Sequence, residues 1–209
     1  MNLLESLKWR YATKVFDKTK KVSQSDLSEI LEAFRLSASS FGLQPWKIVV
    51  VENPELRQKL LPVSWNQSQV VDASHLLVLA RLENVGEDLV EKYLDDIIKT
   101  RGVKKEDLAG YENMMKGALN SKTTEERNFW EIKQIYIALG NLLAFLASKQ
   151  IDSCPMEGFD SKAYDEILGL KQLGLASCVV LPIGYRSEDD KYSQLPKVRF
   201  DLKDLVIKM

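Results

Sequence analysis

Histidine and cysteine are almost missing from this chain: there is one histidine, His75, and there are two cysteines, Cys154 and Cys178. A zinc site built on a histidine pair is excluded, and without a Cys-x-x-Cys spacing there is no disulfide framework. Cys154 has no histidine base in any recognisable pattern, so it reads as a packed thiol, and His75 at the entry to a strand reads as structural. Glycine numbers only 10 and nowhere forms Gly-x-Gly-x-x-Gly after a strand. Gly169-Leu170-Lys171-Gln172-Leu173-Gly174 opens like a phosphate loop, but Leu175-Ala176 stands where Lys and Ser or Thr are required. His-Glu-x-x-His and the Gly-x-Ser-x-Gly elbow are absent as well. No apolar run approaches the roughly 20 residues of a membrane span. The start carries Glu5 inside its short apolar run and has no small-residue cleavage site, so it does not read as a signal peptide. An excess of one charge is also missing, with Lys+Arg 29 against Asp+Glu 30. That balance supplies no global field for nucleic acid or an anionic membrane. The expectation is a cytoplasmic protein with no metal, nucleic-acid or membrane partner.

What is present suits one domain over residues 1–209, long enough to bury roughly 70% of its unfolded surface. Leu3, Leu4 and Leu7 predict a first helix, and Ser23 or Ser25 caps a second through Leu27, Ile30, Leu31 and Phe34. Lys47–Val51 reads as a strand, and Asn53-Pro54 starts a helix of Leu56, Leu60 and Leu61. Leu76–Arg81 and Ala176–Tyr185 are short apolar runs that predict buried strands. Between Gly86 and about Asn120 the pattern is charged and helical, a cover suited to a lid or channel wall. The longest helix runs from Thr124 to Ala147, and its second half is apolar on nearly every face, which suits burial among helices or at a subunit interface. Gln134 and Asn141 on it need partners when buried.

The chemistry-bearing pieces are two cation pairs, Arg10 with Lys14 and Lys197 with Arg199, and three polar stretches. Arg10 and Lys14 share a face if the segment is helical, or converge in an irregular one; Lys197 and Arg199 share a side if theirs is an extended strand. The polar stretches are the loop Leu36–Trp46 with Ser39, Ser40 and Gln44, the patch Asn66–Gln69, and the turn Pro155-Met156-Glu157-Gly158. Together they suit a phosphorylated, partly aromatic cofactor, because cations and hydroxyls hold a phosphate.

Six pieces in one order then carry a resemblance. They are Arg10-Tyr11-Ala12-Thr13-Lys14-Val15-Phe16, Ser39-Ser40 through Gln44-Pro45-Trp46, Asp72-Ala73-Ser74-His75, Lys133-Gln134 with Gly140-Asn141, Pro155–Asp160, and Leu195-Pro196-Lys197-Val198-Arg199. The chain closely resembles the flavin-dependent nitroreductase family, in particular its oxygen-insensitive NAD(P)H nitroreductase and dihydropteridine reductase branch. The resemblance implies an α+β, three-layer α/β/α fold: a mainly antiparallel, mixed sheet wrapped by helices in an intertwined homodimer with FMN at the subunit interface. It implies hydride transfer from NADH or NADPH through flavin N5 to nitroaromatics, quinones or similar small electrophiles by a ping-pong cycle. Alternatives on the same fold are a specialised reductase of enals, semialdehydes or pteridines, or a non-catalytic flavin-binding dimer.

Carried over residue by residue, the resemblance puts Arg10, Lys197 and Arg199 on the FMN phosphate and Lys14 and Asn66 at the pyrimidine end of the ring. Lys14 and the Glu157 backbone N–H near N5 are the catalytic groups. Tyr11, Ala12, Ala38, Ser39, Ser40, Gln44, Gln69, Pro155, Met156 and Gly158 complete the cofactor shell, with Ser39-Ser40 supplied by the partner subunit. Phe41 and Asn66 line the substrate pocket. The branch often has His or Arg and then Ser where this chain has Tyr11-Ala12, proline at Ala38, asparagine at Gly42 and lysine at Gln69. Ala12 removes a phosphate-binding hydroxyl, and Gln69 leaves less positive charge for anionic substrates.

Overall fold

Where the apolar period changes, the elements change, and the computed structural model describes residues 2–209. Helix α1 (Leu3–Trp9) begins with a capping box between Asn2 and Glu5, and α2 (Gln24–Arg35) begins at Ser23, whose side chain accepts from the Asp26 amide. Strand β1 (Trp46–Val51) is followed by α3 (Pro54–Leu60), α4 (Gln69–Asp72) and β2 (His75–Leu82). The charged excursion folds as α5 (Glu87–Arg101) and α6 (Ala109–Asn120). Then come α7 (Thr124–Ser148), β3 (Asp152–Ser153), α8 (Ser161–Ile167), β4 (Leu175–Gly184) and the short α9 (Leu202–Leu205).

The sheet order is β1-β2-β4-β3, and every ladder is antiparallel. Among the described residues the parallel pairing expected of a mixed sheet is confined to one bridge, Ala12 with Ser153. β2 and β4 read as unbroken apolar runs because both their faces are covered. Leu77, Leu79, Leu181 and Ile183 pack against α2 and α7 through Ile30, Ile135 and Leu142. Leu76, Val78 and Val180 face the other way, against Leu60, Val70 and Tyr164. The result is helix, sheet, helix, in three layers. The register slips between Leu79 and Ala80, leaving Cys178 as an extra residue in β4, a bulge that locally raises the strand's twist.

The cover has its own small core, with Val90, Leu94, Met115 and Leu119 buried together and Phe41 and Tyr93 packed alongside. One guanidinium holds both of its ends: Arg127 donates to the Val85 carbonyl at 2.7 Å and to the Leu119 carbonyl at 3.1 Å. Gln134 and Asn141 do find partners, Gln134 with the Ser40 amide and the Trp130 carbonyl, Asn141 with the Ala33 carbonyl and Ser37.

The C-terminal segment departs from expectation. Lys197 and Arg199 lie in no strand, because no ladder partner stands beside residues 195–201, and Val198, Phe200 and Ile207 are 80% or more exposed.

Candidate functional site

α1 stops at Trp9 because Arg10 takes extended backbone, and the following segment runs beside β3. The Thr13 amide donates to the Ser153 carbonyl at 3.2 Å, and Phe16 bridges to Arg186. Arg10 and Lys14 are therefore not helical neighbours. They reach the same place from an irregular strand, and the C-terminal segment folds over them. The resulting cavity of about 440 Å³ is lined by Arg10, Tyr11, Ala12, Lys14, Lys197 and Arg199, among others. Both cation pairs thus converge on one space from opposite ends of the chain.

The electrostatics of that space are unbalanced. Burial and then the Arg199 charge pull the Arg10 guanidinium below its ordinary range; burial, Arg10 and Arg199 do the same to Lys197. Among the described residues no carboxylate pairs with any of the four cations. Arg10 Nε is buried without a hydrogen-bond partner, while Lys197 Nζ donates to the Arg10 carbonyl. Gathered like charges and an orphaned buried donor call for an anion.

The strip continues past β3. Cys154, its thiol pushed up by burial but within reach of the Lys14 and Arg10 charges, leads into the Pro155–Gly158 turn. Met156 is buried and doubly bonded to Val180, which pins the turn to β4. The Gly158 carbonyl accepts from Gln67 Nε2 at 2.8 Å, and a Cβ at Gly158 would come within 2.7 Å of the Trp65 ring. Trp65 and Asn66 both hold left-handed backbone, with φ of 53° and 56°, a costly pair for non-glycine residues that recurs at functional loops. Trp65 is 70% exposed and Asn66 is exposed beside it. The amides of Glu157 and Gly158 donate to no acceptor among the described residues. Gln69 is buried at the start of α4, three residues beyond the exposed Asn66.

Ala38, Ser39, Ser40, Phe41 and Gln44 do not join this cavity. The Ser40 amide donates to Gln134 Oε1, and Gln44 Nε2 to the Arg35 carbonyl. Gln134 and Tyr136 are two residues apart on α7, about 200° around the helix. The loop touches the Gln134 side, the turn touches the Tyr136 side, and α7 separates them within one chain.

Several residues of the site carry no sequence signal. Asp190 sits at the end of the acidic run Glu188-Asp189-Asp190, which reads as solvated, yet it is 1% exposed. Burial opposes its charge, but donation from Val15, Lys14, Tyr11 and Tyr192 outweighs this and holds its carboxyl below the usual range. Burial and that hydrogen bond push the Tyr11 hydroxyl up. Asp152, also buried, binds Arg186 through its amide and guanidinium, and Arg186 lies over the rings of Trp9 and Tyr11 at 4.1 and 4.6 Å. Trp65 and Tyr136 are the other two; a lone exposed aromatic in a loop or a helix has no pattern to find it by.

A family model described as the Nitroreductase family matches residues 7–185. The chain belongs to the nitroreductase family. The match takes in Arg10, Lys14, Asn66 and the Pro155–Gly158 turn, and ends before Asp190, Lys197 and Arg199. YfkO of Bacillus subtilis, which carries an NAD(P)H nitroreductase name, is 40% identical, the alignment covering 98% of this chain and 96% of that protein. The major NAD(P)H-flavin oxidoreductase of Aliivibrio fischeri is 34% identical, over 98% and 97%. The crystal structure of an FMN complex of a nitroreductase-named protein from Exiguobacterium sibiricum superposes with a TM-score of 0.87 at 20% identity, over 100% of this chain and 98% of that one. At that identity the likeness is one of fold. The fold of this chain is the α+β nitroreductase fold. No helix among the described residues is long and apolar enough to cross a membrane.

Proposed function

We propose that this nitroreductase-family protein is an FMN-dependent NAD(P)H oxidoreductase that reduces small electrophiles such as nitroaromatics and quinones in a ping-pong cycle, working as a homodimer. The observation that carries this reading is the cationic cavity: Arg10, Lys197 and Arg199 gathered without an internal counterion, with Arg10 Nε unpartnered. These donors fit a phosphate monoester, each charge-assisted hydrogen bond contributing about 1.5 to 3 kcal/mol. Tyr11 spends its hydroxyl on Asp190 and Ala12 has none, so in this chain the phosphate end relies on cations.

FMN, when bound, supplies a two-electron carrier that takes and gives hydride at N5. The chain's own residues orient and polarise it. Lys14 lies along the same segment as Arg10, and its ammonium would face the pyrimidine end with Asn66, where a fixed positive charge stabilises developing negative charge. The unengaged Glu157 and Gly158 amides are free to donate to the ring edge, with Pro155 against one face. Trp65, exposed beside Gly158, covers the approach on that side.

What a single chain leaves open supports the homodimer. The Ser39–Gln44 loop and the Glu157 turn contact α7 through Gln134 and Tyr136, about 200° apart around the helix, and the loop does not line the cationic cavity, so a second copy would bring loop and cavity together. Leu3, Leu4 and Leu7 on α1, Ile137 on α7 and the apolar tail residues Val198, Phe200, Leu202 and Ile207 are all exposed, large apolar side chains that a second copy could cover. The names of YfkO and the A. fischeri oxidoreductase support the cofactor and the donor.

The test is optical. Purified protein is expected to be yellow, to release FMN on denaturation, and to bleach on adding NADH or NADPH. Colourless protein that cannot be reconstituted with FMN would end this reading. Bound flavin that no pyridine nucleotide bleaches would favour a binding protein without turnover. The cover, with Tyr93 and Tyr111 packed toward Phe41, is where a specialised acceptor preference would arise. A panel of nitro, quinone, enal and aldehyde acceptors decides that point.

A further inference from the structure

The Asp190 carboxylate is buried beneath a cavity that gathers cations, and a buried carboxylate is costly unless its oxygens are filled. Both are. Oδ2 accepts from the Tyr11 hydroxyl at 2.8 Å, from the Lys14 amide at 2.8 Å and from the Val15 amide at 3.1 Å. Oδ1 accepts from the Tyr192 amide at 3.0 Å, and the Asp190 carbonyl takes the Ser193 amide at 3.0 Å. The donors belong to two segments separated by most of the chain, and these are the segments that carry the cavity's cations. Lys14 is held by its own amide. Asp190 caps a single 3-10 turn, Lys191–Gln194, and Lys197 and Arg199 follow it in a stretch, 196–200, with no regular structure of its own to place it.

We propose that Asp190 is the positioning residue of the cationic cavity: one buried carboxylate fixes the backbone of Lys14 and the start of the segment bearing Lys197 and Arg199, so that the two cation pairs face one ligand. The identity of that ligand rests on the flavin reading above; the positioning role does not. Asp190 touches no ligand in this scheme and acts through Lys14 and the C-terminal segment. The Asp152–Arg186 pair anchors the neighbouring backbone and holds the Thr13 hydroxyl at 3.3 Å, but it bonds neither Lys14 nor Tyr192 and so does not link the two cation-bearing segments. The contact of Lys197 Nζ with the Arg10 carbonyl closes the cavity after the segments have been brought together.

The test uses the full-length apoprotein titrated with FMN and, separately, with riboflavin, followed by quenching of flavin fluorescence. Asp190→Asn keeps the volume but sets an amide N–H₂ against backbone donors. With far-UV dichroism unchanged, it is expected to weaken FMN about tenfold and riboflavin by a smaller factor, since riboflavin senses only the loosening of Lys14 whereas FMN also loses the alignment of the phosphate cations. In a Lys14→Ala background the Asp190→Asn effect on riboflavin should vanish, the signature of action through Lys14. Wild-type FMN affinity in folded Asp190→Asn, or an undiminished effect in the Lys14→Ala background, overturns the proposal. If Asp190→Asn does not fold, Tyr11→Phe removes one donor at a half-buried site and should weaken FMN a few-fold; wild-type affinity there counts against the proposal. Wild-type protein that binds neither flavin ends the flavin reading alone. Amide exchange at Lys14 and Val15 then decides the positioning role, faster exchange in the variant supporting it and unchanged exchange refuting it.

Discussion

The Tyr136 hydroxyl donates to the Glu157 carboxylate, tying the exposed side of α7 to the turn whose amides remain free. Burial and this partner push the Tyr136 hydroxyl up, so it stays a donor across the physiological range. From the other side the turn is held by Gln67 on the Gly158 carbonyl. Tyr136→Phe should therefore loosen the turn without unfolding the protein, because the bond is half-exposed and is expected to contribute no more than about 1 kcal/mol. Rapid mixing with NADH or NADPH should show slower flavin bleaching with FMN retention nearly unchanged. An unaltered bleaching rate would separate the turn from the chemistry.

Arg127 clamps both ends of the cover, and its removal should act there first. Arg127→Met loses the donors to Val85 and Leu119 while keeping much of the side-chain volume. Hydrogen exchange should accelerate across residues 86–120 and stay unchanged in β2 and β4, whose residues are shielded on both faces. Uniform acceleration everywhere would mean that Arg127 supports the whole fold instead.

Glu131 sets a pH dependence of opposite sign to the usual carboxylate. It is buried on α7, and burial pushes its carboxyl up to about 7 against the pull of Arg81 and Arg127. The unfolded chain titrates it near its ordinary value of about 4.3. Between these values the folded state holds the extra proton, so its contribution to stability falls as pH rises toward 7 and is lost above it. Thermal unfolding should show Glu131→Gln with a flatter profile than wild type from pH 5 to 8. Parallel profiles would contradict the assignment.

Gly42 has two reasons to be glycine. Its φ is +78°, and a Cβ would sit 2.4 Å from the Tyr93 hydroxyl oxygen. Gly42→Ala should cost about 1–2 kcal/mol from the backbone alone, and Tyr93→Ala in the same chain should relieve the steric part. Denaturant unfolding of the single and double variants checks this, with strictly additive losses as the contrary result.

Much of the fold was legible because β2 and β4 are buried on both faces and α7 repeats its apolar positions over many turns. The four cations could be named from the chain, and the resemblance supplied their common ligand. What brings them together could not be read: the bonds from Tyr11, Lys14 and Val15 to Asp190 span 175 to 179 residues, and Asp190 is written inside a run of acids that looks solvated. At Arg10 the irregular alternative is the one that holds, and the strand considered for Lys197 and Arg199 does not form, because tertiary partners rather than local period set the conformation at both places. The need for glycine at Gly42 was likewise illegible, because it comes from Tyr93 reaching over from the cover.

The central claim is that the cationic cavity recognises the phosphate of a flavin mononucleotide, and comparing FMN with riboflavin on the same apoprotein tests it most directly. FMN should bind at least tenfold more tightly, and Arg10→Ala or Arg199→Ala should each remove about ten- to a hundredfold of FMN affinity while leaving riboflavin nearly unchanged. Equal affinity for the two flavins in the wild-type protein would contradict it.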